Sequence, residues 1–151
     1  MKRLLGPTAF IITLIIGLVS SVATHRIGLR LREPKTVTTA SGLKYIDIKE
    51  GHGPRPVNGA GAIVSYIGTF ENGVQFDVSD DHNGSYVFKV GVGQVISGFD
   101  EGVMTMKVGG KRRLIIPAWL AYGQRGMPPM IPPNTTVIFD VELLDVVSNS
   151  D

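Results

Sequence analysis

Side chains able to do chemistry are sparse in this 151-residue chain. There is no cysteine, which excludes thiol nucleophiles and disulfides. The histidines, His25, His52 and His82, are widely separated and lack the paired spacing of zinc ligands, so no metal and no cofactor is expected. Serines are scattered and none has a base at a fixed offset, which leaves nucleophilic catalysis without a candidate. Gly91-Val-Gly-Gln-Val-Ile-Ser-Gly98 stands where a nucleotide loop would, between a strand pattern and a helix pattern. It fits neither G-x-G-x-x-G nor G-x-x-x-x-G-K-[ST]. Asp77, Ser79, Asp81 and Asn83 alternate as calcium ligands do, but the sixth position lacks glycine and Phe88 stands where the loop needs glutamate.

What remains is apolar. Residues 118 to 135 make a long loop, and loops of that length inside a compact domain are usually functional. This one carries Met127, Met130 and Ile131 where a solvent-facing loop would be polar.

The elements that must position such a surface are one helix and a sheet. From Gln94 to Met106 the apolar residues Ile96, Phe99, Val103 and Met106 recur at spacings of three and four, the signature of a short helix with one buried face. Ser97 is the expected N-cap, and Asp100 and Glu101 suit the positive end of its dipole. Gly98 and Gly102 lie inside it. Each costs the helix roughly 1 kcal/mol in propensity, so a backbone or a ligand is expected to come close on that side. Strand patterns run over Leu43–Ile48, Ala62–Phe70, Tyr86–Val90, Lys111–Pro117 and Thr136–Val147, with Val74–Val78 continuing outward beyond a Glu71-Asn-Gly73 hairpin turn. The fold class expected is α+β, an antiparallel five-stranded sheet wrapped over one short helix and preceded by an N-terminal hydrophobic helix.

The net charge of +2 is unevenly spread. Residues 1 to 35 hold six basic side chains and one acidic; the remainder holds nine against twelve. The globular part is therefore mildly acidic, which argues against nucleic acid as a partner. Lys2 and Arg3 precede 21 uncharged residues, Leu4 to Thr24, about the span of a bilayer core. Two readings stand: a retained membrane anchor, or a secretory signal ending at the small residues Ser21 and Ala23. Basic residues at 26, 30, 32 and 35 would favour keeping the far side inside the cell, whereas a signal would export it; export, to the periplasmic or extracytoplasmic side, is the expectation. The organisation expected is a leader over 1–24, a linker over 25–40, one domain over 41–147 and a polar tail over 148–151.

Several ordered motifs carry a resemblance: Ser-Tyr-Ile-Gly-Thr-Phe70, Gln-Phe-Asp77, Gly-Gln-Val-Ile-Ser-Gly-Phe-Asp-Glu-Gly102, Ala-Tyr-Gly123 and Ile-Pro-Pro-Asn-Thr-Thr-Val-Ile-Phe-Asp-Val-Glu-Leu143. Over residues 41 to 147 the chain resembles the FKBP-type peptidyl-prolyl isomerases, a family that also binds immunosuppressant macrolides. The resemblance implies a proline pocket with Phe99 as floor, where most members have tryptophan, and Tyr66, Phe76, Val95, Ile96, Ile131 and Phe139 as walls. Asp77 and Tyr122 would make the polar contacts, with the Ile96 N–H as a further donor. Tyr86 stands where an aromatic residue is common, Met127 where histidine is common, and His82 where an arginine often pairs with the carboxylate of Asp77. Met130 would join Met127 and Ile131 in touching substrate. The partners implied are proline-containing polypeptides and macrolide inhibitors, and the protein is expected to be a monomer.

The residue types suit that reaction on their own. Rotation about an X-Pro bond is opposed by ~18–20 kcal/mol because amide resonance places charge on the carbonyl oxygen. Twisting the bond removes that charge separation. A dry, ring-lined pocket therefore disfavours the planar state relative to the twisted one, with no acid, base or metal required. The alternative from another class is a peptide-binding module or chaperone that uses the same pocket without turnover.

Overall fold

The computed structural model describes residues 34–82 and 84–148. Seven strands and one α-helix follow in chain order: β1 (Thr36–Thr38), β2 (Lys44–Lys49), β3 (Gly61–Phe70), β4 (Gln75–Val78), β5 (Tyr86–Lys89), α1 (Ser97–Met104), β6 (Lys111–Ile116) and β7 (Val137–Val147). All pair antiparallel in one sheet with spatial order β1-β2-β6-β7-β3-β4, and β5 also pairs with β3.

Two differences from the expected five strands have local causes. β1 lies within the stretch expected to be linker, where Thr36, Val37 and Thr38 pair with Ile46, Tyr45 and Lys44. Three β-propensive residues are too short a run to read as a strand until a partner edge is supplied. The other difference is a divided edge. One side of β3 pairs with β7 along its whole length, while the other meets β5 at Gly61–Val64 and β4 at Ile67–Thr69. Between the two pairings the Tyr66 N–H donates to the Ser79 hydroxyl, 3.0 Å away, in place of a ladder bond. The β3–β4 turn is the expected hairpin. Gly73 takes φ +84, its N–H donates to the Phe70 carbonyl, and the Asn72 side chain accepts from the Val74 N–H.

The inward positions of β3, β6 and β7 (Val64 and Tyr66; Leu114 and Ile116; Val137, Phe139, Val141 and Leu143) close on Phe99, Val103 and Met106 from the helix side. Burial of one such side chain contributes about 1.5–3 kcal/mol. The helix begins later than its pattern: Ile96 is the N-cap and no side chain caps it, so Ser97 is the first helical residue and not the cap. The atoms that come close to Gly98 and Gly102 are side chains of Ile116, Leu120 and Leu114 and not a backbone. A Cβ at Gly102 would lie 2.5 Å from Leu114 Cδ2, and one at Gly98 would run into Ile116.

Arg112 ties the last turn of α1 to the sheet. Almost fully buried, it donates to both carboxylate oxygens of Asp47, to the Gly102 carbonyl and to the Thr105 hydroxyl, and its guanidinium lies 3.9 Å from the centre of the Tyr45 ring. A planar five-donor fork can do all of this at once; a lysine could not.

No helix among the described residues is long and apolar enough to cross a membrane. The leader over 1–24, most of the linker and the last three residues of the tail lie outside the described residues.

Candidate functional site

The site is built where the N-terminal end of α1 meets the inner face of β3 and β7. Tyr66 and Phe139 point inward because they occupy the buried parity of paired strands, and Phe99 rises to them from the first turn of the helix. Their rings stand edge-to-face in a closed triangle: Tyr66–Phe99 5.7 Å, Tyr66–Phe139 5.6 Å and Phe99–Phe139 5.2 Å between centres. Such pairs contribute about 0.5–1.5 kcal/mol each beyond the area they bury. Tyr86 adds a further edge contact to Tyr66 at 6.1 Å.

Above the triangle lies a hollow of about 440 Å³, lined by Tyr66, Asp77, Tyr86, Gly93, Gln94, Val95, Ile96, Phe99, Tyr122 and Phe139. Its polar lining includes Asp77 and the tyrosines. The Tyr66 hydroxyl donates to Asp77 Oδ2 at 3.0 Å, and the other oxygen of Asp77 accepts from the Val78 N–H at 2.8 Å. Burial, then the bond to Asp77, pushes the Tyr66 phenol far above its ordinary range. Burial, then the nearby negative charge of Asp77, raises Tyr122 as well. Both hydroxyls are therefore neutral donors throughout the physiological range. The Ile96 carbonyl accepts from the Phe99 and Asp100 N–H groups, while its own N–H is left without an acceptor among the described residues. The N-cap position explains this, since the first N–H groups of a helix have no intrahelical partner.

The rim is held by Asp100. Its two carboxylate oxygens accept from the Gly91 N–H at 2.5 Å and the Gly93 N–H at 3.2 Å, and both glycines take positive φ. This glycine loop does cradle an anion, and the anion is the chain's own side chain. The acidic residue expected at the positive end of the helix dipole stands in the first turn and also fixes the segment that delivers Gln94, Val95 and Ile96 to the hollow.

Eight of the twelve expected site residues meet around this hollow: Tyr66, Asp77, Tyr86, Val95, Ile96, Phe99, Tyr122 and Phe139. Four do not line it. Phe76 stands behind Phe139, edge-on at 5.6 Å, because Gly68 leaves room for both rings; a Cβ there would lie 2.9 Å from Phe139 and 3.0 Å from Phe76. Ile131 is fully buried, and its N–H and carbonyl pair with Met127 in a small bridge that folds the loop on itself. Met127 is turned outward and Met130 lines a different hollow. The side chain of His82, and with it the pairing to Asp77, lies outside the described residues. Gly93 and Gln94 were missed, although their place directly before Val95-Ile96 is a usable signal. Gly68 was missed too, and nothing local marks it. Among the described residues no cluster of acidic or histidine side chains could hold a metal ion.

Residues 53–144 match the family model described as FKBP-type peptidyl-prolyl cis-trans isomerase. The chain is 55% identical to FK506-binding protein 4 of Dictyostelium discoideum over 72% of its own length and 29% of that protein's. To the peptidyl-prolyl cis-trans isomerase Fkbp12 of Drosophila melanogaster it is 46% identical, over 70% of this chain and 98% of the other. The crystal structure of FkpA from Escherichia coli superimposes with a TM-score of 0.70 and 41% identity, over 77% of this chain and 53% of that one. The chain thus spans under a third of the first relative and about half of FkpA, but nearly all of the Drosophila protein. The match covers both strands and helix that build the hollow, and on it the chain belongs to the FKBP-type peptidyl-prolyl cis-trans isomerase family.

Proposed function

We infer that this chain accelerates cis–trans rotation about X-Pro bonds in polypeptides, with the proline ring seated in the aromatic hollow. The observation that carries the reading is the closed triangle of Tyr66, Phe99 and Phe139 beneath an open space lined also by Asp77 and Tyr122. In this reading Phe99 is the floor and Tyr66, Tyr86, Val95 and Phe139 are the walls. The Ile96 N–H and the Tyr122 hydroxyl donate to carbonyl oxygens of the substrate chain, fixing the residues on either side of the bond. The hollow replaces water around the imide by apolar surface, which the planar, more dipolar state loses more from than the twisted one does. A millionfold acceleration asks for about 8 kcal/mol, shared among desolvation, donor contacts and shape. Asp77 accepts from the Tyr66 hydroxyl and so orients that ring. Phe76 supports Phe139 from behind without touching substrate.

The same hollow is proposed to accept a macrolide of the kind for which FK506-binding protein 4 is named. Export or anchoring through the uncharged run Leu4 to Thr24 is proposed on sequence grounds alone; fractionation of expressing cells and N-terminal sequencing of the mature chain test it.

The decisive measurement is isomerisation of a short proline peptide by the wild type and by Asp77→Ala and Phe99→Ala. Each folded variant is expected to lose tenfold or more in kcat/KM, about 1.4 kcal/mol of transition-state stabilisation per factor of ten. Unchanged turnover in both would refute the assignment, and peptide binding without any turnover by the wild type would favour the non-catalytic module.

A further inference from the structure

A second hollow is lined by Phe70, the ring that packs on Phe76. It encloses about 500 Å³ between the β3–β4 hairpin and the long loop, and is lined by Phe70, Glu71, Asn72, Val74, Met130, Pro132, Thr135 and Thr136. Its apolar surface comes from Phe70, Val74, Met130 and Pro132, with Glu71, Asn72, Thr135 and Thr136 also on its lining, and Val74 and Met130 are 56% and 51% exposed. The hairpin fixes one wall, since the Phe70 N–H donates to the Val74 carbonyl and Asn72 Oδ1 accepts from the Val74 N–H. The Thr135 hydroxyl donates to the Pro132 carbonyl and braces the other.

The two hollows are linked by a chain of ring contacts. Phe70 packs on Phe76 at 4.8 Å, and Phe76 packs on Phe139 at 5.6 Å. The centres of Phe70 and Phe139 are thus no more than about 10 Å apart, a distance that about three residues of extended peptide cover. Both spaces are also bounded by the same loop, through Tyr122 on one side and Met130 and Pro132 on the other.

Building on the isomerase reading, we propose that this second hollow is a specificity subsite that takes an apolar side chain of the substrate polypeptide about three residues from the prolyl bond. Val74 and Met130 close over that side chain, and Phe76 is the partition between the two binding positions. A substrate so held is anchored at two points along one extended segment, which raises its affinity without changing the solvation of the rotating bond. The effect falls on KM and leaves kcat in place.

The experiment compares three kinds of labelled peptide on the full chain. One is a four-residue proline peptide too short to reach the subsite. The other two are longer peptides that differ only in having leucine or aspartate three residues from the proline, made for each side of it. Binding by fluorescence anisotropy and isomerisation are measured for the wild type, Val74→Asp and Val74→Ile. Expected is a leucine peptide favoured over the aspartate one by roughly tenfold in Kd and in kcat/KM on one side of the proline. Val74→Asp abolishes that preference, Val74→Ile keeps it, and both turn over the short peptide as the wild type does. Equal handling of the two longer peptides by the wild type, or a preference that survives Val74→Asp, overturns the subsite while the isomerase reading stands. No turnover of the short peptide by the wild type overturns that reading and the subsite with it.

Discussion

Asp77 and the two tyrosines beside it set the electrostatics of the hollow. A phenol that donates to a carboxylate in a partly buried wall is harder to ionise, and both Tyr66 and Tyr122 are shifted upward. The folded state therefore holds its phenolic protons more tightly than the unfolded chain, whose tyrosines titrate near pH 10. The stability these two groups contribute is complete below pH ~10 and is lost as pH rises through their folded values. Urea denaturation followed from pH 8 to 11 is expected to show a decline setting in near pH 10 that is smaller in the Tyr66→Phe, Tyr122→Phe double variant. Across the neutral range neither hydroxyl changes charge, so kcat/KM is expected to be as pH-independent in the wild type as in that variant. A difference between their profiles from pH 6 to 8 would show that a tyrosine ionises in the working range.

The helix is the element whose details depart most from its own pattern. Propensity alone says that Gly102→Ala gains roughly 1 kcal/mol. Packing says the reverse, because the new Cβ would lie 2.5 and 2.7 Å from the methyls of Leu114. Overpacking costs typically 1–3 kcal/mol and is expected to win. The midpoint of urea unfolding should fall in Gly102→Ala, and pairing it with Leu114→Val should recover part of the loss. A rise in the midpoint of the single variant would mean that β6 yields more easily than its burial implies. The three spacings that marked Ile96, Phe99, Val103 and Met106 as one face were legible because a helix repeats every 3.6 residues whatever it packs against. The partner of that face was not legible, since Leu114 and Ile116 lie in another element and enter only through the tertiary contact.

At the scale of the molecule, ligand binding and stability are linked. A macrolide that fills the hollow binds the folded state alone, and at a concentration of 100 times its Kd it stabilises by about 2.7 kcal/mol. At about 4–8 °C per kcal/mol for a domain near this size, that raises Tm by roughly 10–20 °C, to be read by thermal unfolding with and without FK506. Phe99→Ala is expected to abolish the shift. A shift retained in Phe99→Ala would place the ligand somewhere other than the ring-lined hollow.

Strand positions, the Asn-Gly hairpin, the amphipathic helix, the ring types and the family motifs could all be read from the chain by itself, because each depends on residues a few positions apart. The tertiary structure alone decided that β2 runs beside β6, more than sixty residues away, and that β3 shares one edge between β4 and β5. It also decided that β1 completes the sheet from within an apparent linker. The same holds for the fine structure of the site. Asp100, in the first turn of the helix, also clamps the glycine loop, Phe76 moved behind Phe139 because Gly68 made room, and Ile131 folded into the core of its own loop. Each of these outcomes rests on contacts between segments distant in sequence, whose free energy is settled by which surfaces fit together and leaves no trace in local periodicity.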